Sequence, residues 1–398
     1  MIFPKYIEKG GTIGVTAPSC GIVDELKVKR FHNGVNNLKD RGYDVLFTDN
    51  VFTADKRGCS SSGQVRAKEF TELLTNPNID AVVCAAGGDY LMEMLDYLDF
   101  DLIKQNPKWI QGYSDITALI YPITTKCDVA TIYGFNFSDF GMKEWQSSVT
   151  RGLEILEGTR VSQESFEFHE DFHGFDETAD NEENENIADN DSKDIVALNE
   201  DNGCNDIVAL NEDNGCNDKN ISNEESVENV SGTENDDNMG LEGYSQDKPV
   251  MWKTYNNKPV TMSGRLLGGC LDVISFLAGT KYDGTLEFAE KYKEDGILWF
   301  LESFDMNDTV LVTTLWKMKQ MGYFKYASGF VFGRPLMYNT WIEQSYEDAV
   351  MSVLGELDVP VIFDADIGHK GPQFSMINGA KAVVKSENGK GVITYVRA

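Results

Sequence analysis

The chain has 398 residues, 41% hydrophobic and 11% aromatic, which is enough material for about two folded domains. Its formal net charge of −30 is concentrated in residues 176–247, which contain 23 acidic side chains and two lysines. The rest of the chain therefore carries a net charge of only −9. With no basic patch and no apolar run of membrane-spanning length, nucleic acid and membrane are excluded as expected partners.

The seven cysteines are scattered, without a CxxC pair or a spacing typical of a metal site. Their odd number favours free thiols in a reducing compartment. The first nine residues lack the apolar core of a signal peptide, so the sequence predicts a cytoplasmic protein.

The first 160 residues alternate between β-rich and amphipathic stretches. This pattern predicts a parallel sheet with helices on both faces, in which functional groups collect at the carboxyl ends of the strands. The predicted strands are 12–18, 43–47, 81–86 and 109–110, and the predicted helices are 24–41, 63–74, 90–98 and one that begins near 116.

Ser114 stands at a predicted strand-to-helix turn, residues 112–115. A hydroxyl at such a turn lies at the sheet edge, and the amide of Asp115 would point from a helix N-terminus toward developing negative charge. The second glycine of the usual Gly-x-Ser-x-Gly turn is missing, and the alternative is that Ser114 or Asp115 only caps the helix.

Gly87 and Gly88 follow the predicted third strand, directly before Asp89. Their spacing is not that of a dinucleotide-binding loop. They are either plain turn glycines or a bare backbone that offers an amide beside Ser114 as half of an oxyanion hole.

Residues 176–247 differ in kind, since they are rich in Asn, Asp, Glu, Ser and Gly, and residues 194–205 recur identically as 206–217. Such a composition predicts a disordered or mobile insertion, and its Asp/Asn-Gly cluster does not meet the spacing of a calcium-binding EF-hand. The predicted organisation is an N-terminal domain (1–165), an acidic linker (166–248) and a C-terminal domain (249–398).

The C-terminal domain is predicted to be a second α/β unit with more antiparallel character near its end. Residues 263–270 lead into a predicted helix at 271–277. The other predicted strands are 296–301, 329–333, 359–364, 382–384 and 392–396, and the other predicted helices are 310–321 and 345–357.

Of the four histidines, only His369 follows a predicted buried strand and lies in a glycine-flanked loop. It is the candidate base for Ser114, although a lone loop histidine is more often structural or solvated.

Glu302 ends an apolar strand, where a half-buried carboxylate needs a partner. That partner is either His369, as in a catalytic triad, or a neighbouring lysine or water. Zinc is not expected, and magnesium held by Glu302, Asp364 and Asp366 is a minor alternative.

Taken together, these motifs resemble the LD-carboxypeptidase family of serine peptidases, which includes the microcin C self-immunity peptidases. The resemblance covers residues 1 to about 160 and 250–398. The matching stretches are 10–19, 66–67, 86–89, 112–119, 267–271, 300–302 and 366–369.

The resemblance implies that Ser114 is the nucleophile, His369 the general base and Glu302 its orienting partner. It also implies an oxyanion hole formed by the amides of Gly88 and Asp115. The remaining candidate site residues, Gly87 and Asp89, are expected to bind substrate.

The family further implies a homodimer, no metal or organic cofactor, and a parallel-sheet α/β domain followed by a β-rich α/β domain. The chain departs from the family pattern after Gly88, at Cys270 where asparagine is common, and in the interdomain repeat. These departures bear on substrate choice.

The expected activity is hydrolysis of an L,D peptide bond in murein-type peptides, with release of terminal D-alanine. The alternatives are hydrolysis of a peptidyl or aminoacyl nucleotide of the microcin C kind, which gives resistance, and a non-catalytic module that binds a peptide or nucleotide.

Overall fold

The computed structural model describes residues 1–171 and 238–396. Most of the predicted insertion therefore lies outside the described residues. The prediction that the insertion is disordered concerns those same residues. Within the described ranges, no helix is both long and apolar enough to cross a membrane.

The described residues form an α/β structure whose elements are numbered here in chain order. The strands are β1 (Thr12–Thr16), β2 (Asp44–Phe47), β3 (Ala81–Cys84), β4 (Trp109–Gly112), β5 (Thr131–Tyr133), β6 (Ser162–Glu164), β7 (Phe168–His169), β8 (Lys248–Pro249), β9 (Lys253–Thr254), β10 (Val260–Cys270), β11 (Ile297–Glu302), β12 (Ala327–Gly333), β13 (Val361–Ala365), β14 (Met376–Asn378), β15 (Lys381–Glu387) and β16 (Lys390–Tyr395). The helices are α1 (Glu25–Asp40), α2 (Gly63–Thr75), α3 (Phe100–Gln105), α4 (Thr117–Cys127), α5 (Ser147–Leu156), α6 (Leu271–Leu277), α7 (Thr285–Lys291), α8 (Asp308–Gln320) and α9 (Tyr346–Leu354).

The N-terminal sheet has the order β14-β5-β4-β3-β1-β2. Its five N-terminal strands run parallel, as the alternating pattern predicts, and β14 joins β5 antiparallel from the far end of the chain. The two central strands β3 and β4 are buried at every position, because helices cover both faces.

The C-terminal sheet has the order β6-β16-β15-β10-β11-β12-β13-β9. Strands β10 to β13 are parallel, and the flanking strands pair antiparallel. The fold is therefore a two-domain α/β structure with a parallel N-terminal sheet and a β-rich mixed C-terminal sheet, as the sequence predicts.

Helix starts follow from local capping. The side chains of Asp24, Ser62, Asn307 and Ser345 each accept a hydrogen bond from a backbone amide three residues later, at the starts of α1, α2, α8 and α9. Each cap satisfies an amide that has no partner within the helix.

The structure differs from expectation most clearly at residues 260–270. The sequence predicts only an approach to a helix there, whereas these residues form the long strand β10. Glycine is generally unfavourable within a strand, but it is required at position 268. A Cβ on Gly268 would lie 1.6 Å from the carbonyl oxygen of Phe300 on the adjacent strand.

Candidate active site

Ser114 lies two residues after the end of β4, at the carboxyl edge of the N-terminal sheet, and opens a short 3-10 turn that leads into α4. Its backbone is left-handed, with φ of +65°, a conformation that costs a non-glycine residue about 1–2 kcal/mol. Neither Ser114 nor Asp115 caps α4 through its side chain. The turn therefore holds the serine in a strained conformation and leaves its hydroxyl free of a capping role.

Asp115 fixes this turn to two neighbouring loops. It is 2% exposed, and its carboxylate accepts hydrogen bonds from Ser19 Oγ (2.5 Å) and from the amide of Leu91 (2.8 Å). Burial raises the pKa of Asp115, although both donors act in the opposite direction. The loops after β1 and β3 are thus held against the serine turn.

Gly87 and Gly88 lie beside Ser114, and each has little space for a side chain. A Cβ on Gly87 would lie 3.2 Å from Ser114 Oγ. Gly88 has φ of +151°, and a Cβ there would lie 2.4 Å from both Ser19 Oγ and Cys20 Sγ. Within residues 1–171 and 238–396, the backbone amides of Gly88 and Asp115 have no hydrogen-bond acceptor.

Glu302, at the end of β11, is fully buried and contacts His369 and Tyr133. Its Oε2 lies 2.9 Å from His369 Nδ1, and its Oε1 accepts a hydrogen bond from the hydroxyl of Tyr133. Burial by itself would raise the pKa of Glu302, but His369 and Tyr133 together hold it below the usual value. The carboxylate is therefore charged at neutral pH.

His369 lies in the loop after β13, between the rings of Tyr113 (5.0 Å between centroids) and Phe304 (4.8 Å). Burial by itself would lower its pKa, but the adjacent Glu302 outweighs this and raises it. Its second ring nitrogen, Nε2, is buried and makes no hydrogen bond to any described residue, Ser114 included.

The loop that carries His369 is fixed on both sides of the histidine. Gly368 has φ of +101°, and a Cβ there would lie 2.6 Å from Glu302 Oε2. Asp366 is buried and accepts a hydrogen bond from Arg334 Nη1 (2.9 Å), while Arg334 Nη2 donates to the carbonyl of Lys370 (3.2 Å).

Tyr133 joins the two sheets at this point. Its hydroxyl donates to Glu302 in the C-terminal sheet and accepts a long hydrogen bond, 3.4 Å, from the amide of Ser114 in the N-terminal sheet. Nearby, the amide of Cys270 donates to Thr117 Oγ1 at 3.1 Å. Sequence reasoning missed Tyr133, since nothing distinguishes it from any tyrosine that ends a short strand.

The structure places all seven predicted site residues at the facing carboxyl ends of the two sheets, with Asp89 exposed and the others partly or fully buried. It does not gather the carboxylates of the magnesium alternative. Glu302 pairs with His369, Asp364 with Lys253 (2.7 Å) and Asp366 with Arg334.

Two family models match the chain. The model of the LD-carboxypeptidase N-terminal domain matches residues 13–134, and that of the LD-carboxypeptidase C-terminal domain matches residues 263–384. Together they cover more than half of the sequence.

Among curated proteins, the microcin C7 self-immunity protein MccF of Escherichia coli is 38% identical over 127 residues, which are 31% of this chain and 36% of that protein. A protein of Treponema pallidum named as a carboxypeptidase is 32% identical over 134 residues, 33% of this chain and 39% of that protein. These matches thus span well under half the length of either relative.

Among solved structures, an MccF-like protein of Bacillus anthracis matches with a TM-score of 0.69 at 23% identity, over 100% of both chains. A mutant of MccF in complex with adenosine monophosphate matches with a TM-score of 0.69 at 21% identity, over 100% of this chain and 99% of that one. At such identities the likeness shows a shared fold.

Proposed function

Because this chain belongs to the LD-carboxypeptidase family, we propose that it is a serine hydrolase that uses Ser114, His369 and Glu302 to cleave an amide bond next to a carboxylate-bearing terminus. The observation that carries this proposal is the buried Nε2 of His369, which has no hydrogen-bond partner among the described residues, while Glu302 already holds the other ring nitrogen. A histidine in this state has one nitrogen available to accept a proton.

In the proposed mechanism, Ser114 Oγ attacks the carbonyl carbon while its proton passes to His369 Nε2. The imidazolium that results is stabilised by the charged Glu302 at Nδ1. The amides of Gly88 and Asp115 receive the oxyanion, since neither has an acceptor within the described part of the chain. His369 then protonates the leaving amine, and water repeats the sequence on the acyl-enzyme.

For the substrate, we propose a murein-type peptide with an L,D bond to a terminal D-alanine. Six of the seven curated relatives that match are named carboxypeptidases, one of them a murein peptide carboxypeptidase of Bacillus subtilis. Gly87 and Asp89 would contact the peptide beside the nucleophile.

A second candidate is hydrolysis of an aminoacyl nucleotide. It is favoured by the 38% identity to MccF and by the shared fold with MccF structures that hold adenosine monophosphate or aspartyl sulfamoyl adenosine. In this reading the protein would give resistance to a microcin-like compound.

The test is release of D-alanine from a murein tetrapeptide by the wild type, by Ser114→Ala and by Ser148→Ala. Ser148 is a matched control, because its buried hydroxyl in α5 has no hydrogen-bond partner among the described residues. We expect turnover in the wild type and the control, and a loss of at least about 10³-fold in Ser114→Ala.

No release by the wild type would reject the murein substrate, and aspartyl sulfamoyl adenosine would then be assayed for release of aspartate. Equal turnover by wild type and Ser114→Ala on either compound would reject Ser114 as the nucleophile. Binding of both compounds without turnover would indicate the non-catalytic module. The homodimer is a further proposal, which sedimentation velocity would check.

A further inference from the structure

Cys20 and Cys59 face each other across an isolated antiparallel β-bridge. The bonds that flank the bridge run from the amide of Gly21 to the carbonyl of Gly58 (3.2 Å) and from the amide of Ser60 to the carbonyl of Ser19 (3.0 Å). This pattern defines a non-hydrogen-bonded pair, whose Cα atoms lie about 4.5 Å apart with both side chains on the same face.

That separation falls within the range of Cα distances that disulfides span, about 4.4–6.8 Å. The Cys20 side chain also points toward the segment that carries Cys59, since a Cβ built on Gly58 would lie 3.4 Å from Cys20 Sγ. A bond between the two sulfurs therefore needs rotation of side chains and little movement of the backbone.

The two thiols differ in how accessible they are to solvent. Cys20 is partly exposed, whereas Cys59 is 1% exposed. Burial raises the pKa of both thiols. A reagent from solution would reach Cys20 first, and Cys59 would act on the product.

We propose that Cys20 and Cys59 form a redox-modifiable dithiol site, which an organic or inorganic peroxide converts to a disulfide. The Cys20 thiolate attacks the O–O bond, takes one oxygen as sulfenic acid and releases the alcohol or water. The Cys59 thiol then attacks the Cys20 sulfur, and the sulfenic oxygen leaves as water. The two sulfurs lose one electron each, and the peroxide gains two.

This site adjoins the loop that carries Gly87 and Gly88. The amide of Cys20 donates to the carbonyl of Gly87 at 3.1 Å, and Cys20 Sγ packs against Gly88. Rotation of Cys20 toward Cys59 removes the packing against Gly88. If the proposed function holds, we expect oxidised protein to lose about 10- to 100-fold in kcat/KM, as for other small displacements of a catalytic group.

The experiment uses the full chain with Cys204→Ser and Cys216→Ser, which removes the two repeat cysteines as competing partners. Protein is treated with hydrogen peroxide at pH 8.5, alkylated, digested with trypsin without reduction and analysed by mass spectrometry. Residues 10–27 and 58–66 form tryptic peptides that each contain one cysteine. We expect them to appear as one linked species that separates on reduction.

A second probe, phenylarsine oxide, bridges two adjacent thiols without oxidation. We expect one arsenical bound per chain, and loss of tight binding in both Cys20→Ser and Cys59→Ser. Cys84→Ser is the control, since Cys84 is a buried thiol at the end of β3.

Absence of the linked peptide after oxidation, with Cys20 overoxidised or unmodified, would overturn the proposal. So would arsenical binding that survives Cys59→Ser. Both readouts are independent of catalysis, so a failure of the proposed hydrolase function leaves them unaffected, and a linked peptide without an effect on turnover would reject only the coupling to the Gly87 loop.

Discussion

At His369, burial and the neighbouring carboxylate act on the imidazole in opposite directions, and Glu302 prevails, so the pKa of the histidine lies above its usual value of about 6.5. A general base must be neutral, so activity should rise with pH as His369 loses its proton. Glu302→Gln removes the influence that raises the pKa and leaves burial, which lowers it.

We therefore expect the acid limb of the kcat/KM profile of Glu302→Gln to move to lower pH, with the plateau reduced by about 10³–10⁴-fold. The measurement is the pH dependence of hydrolysis between pH 5 and about 9. Glu347→Gln, which removes a carboxylate paired with Lys253 elsewhere in the C-terminal domain, is the control. An acid limb that stays in place would mean that His369 is not the titrating base.

Tyr133 supports a second prediction, because its hydroxyl bonds both Glu302 and the amide of Ser114. Tyr133→Phe leaves a buried carboxylate short of one donor, which should lower the free energy of unfolding by about 1–3 kcal/mol. We also expect kcat to fall about tenfold with little change in KM, since the orientation of Glu302 and Ser114 is relaxed.

Urea denaturation and steady-state kinetics would test both effects. Tyr121→Phe is a matched control: it also removes a buried hydroxyl, but one that bonds Thr285. If Tyr121→Phe and Tyr133→Phe reduce kcat equally, Tyr133 has no special role in orienting Glu302 and Ser114.

Among the elements, the loop after β3 is the most sensitive to added volume. Gly87→Ala brings a methyl group within 3.2 Å of Ser114 Oγ, at a backbone conformation that alanine can adopt. We expect the variant to fold normally and to lose about 10²-fold in kcat/KM, because the nucleophile is displaced.

Gly355→Ala, at the end of α9, is the control for this substitution, because among the described residues its new methyl group would meet only Met351 Cε, at 3.7 Å. Thermal unfolding should be similar for both variants and only Gly87→Ala should lose activity. Full activity of Gly87→Ala would show that the loop after β3 does not position Ser114 for the reaction.

The sequence predicts most helices and the central strands of the N-terminal sheet correctly, because their apolar periodicity and caps are local. At α1, Phe31 and Leu38 are buried, whereas Leu26 in the first turn is 37% exposed. The strand β10 was missed, since its glycines are explained only by tertiary contacts, such as that of Gly268 with β11. Tyr133 and the sulfur pair of Cys20 and Cys59 were missed for the same reason: tertiary contacts define them.

For the whole molecule, the described segment that begins at residue 238 bears on how the acidic repeat can be removed. Tyr244 in this segment bonds Asp139, and a Cβ on Gly371 would lie 2.2 Å from its ring. Arg30 donates to the carbonyls of Gly240 and Glu242. Residues 238–247 are therefore part of the folded unit, although their composition groups them with the insertion.

We expect a variant in which a flexible linker of about 12 residues replaces residues 172–237 to keep its stability and its turnover of small substrates. Extending the deletion to residue 247 should lower the free energy of unfolding by about 3 kcal/mol or more, because Tyr244 and its contacts are lost. Chemical denaturation of the two deletion variants and of Tyr244→Ala would show how much of the stability comes from the Tyr244 side chain and how much from the rest of residues 238–247. Equal stability of both deletions would contradict the packing role of residues 238–247.

The pairing of β14 with β5 also has a consequence for biosynthesis. The ribosome makes β5 early, but the strand that covers its free edge emerges only after most of the C-terminal sheet, shortly after His369. A nascent N-terminal half therefore exposes an unpaired strand edge, which is open to pairing with other chains. Since His369 emerges shortly before the covering strand, a growing chain completes the proposed set of Ser114, Glu302 and His369 only when this edge of β5 is about to be covered.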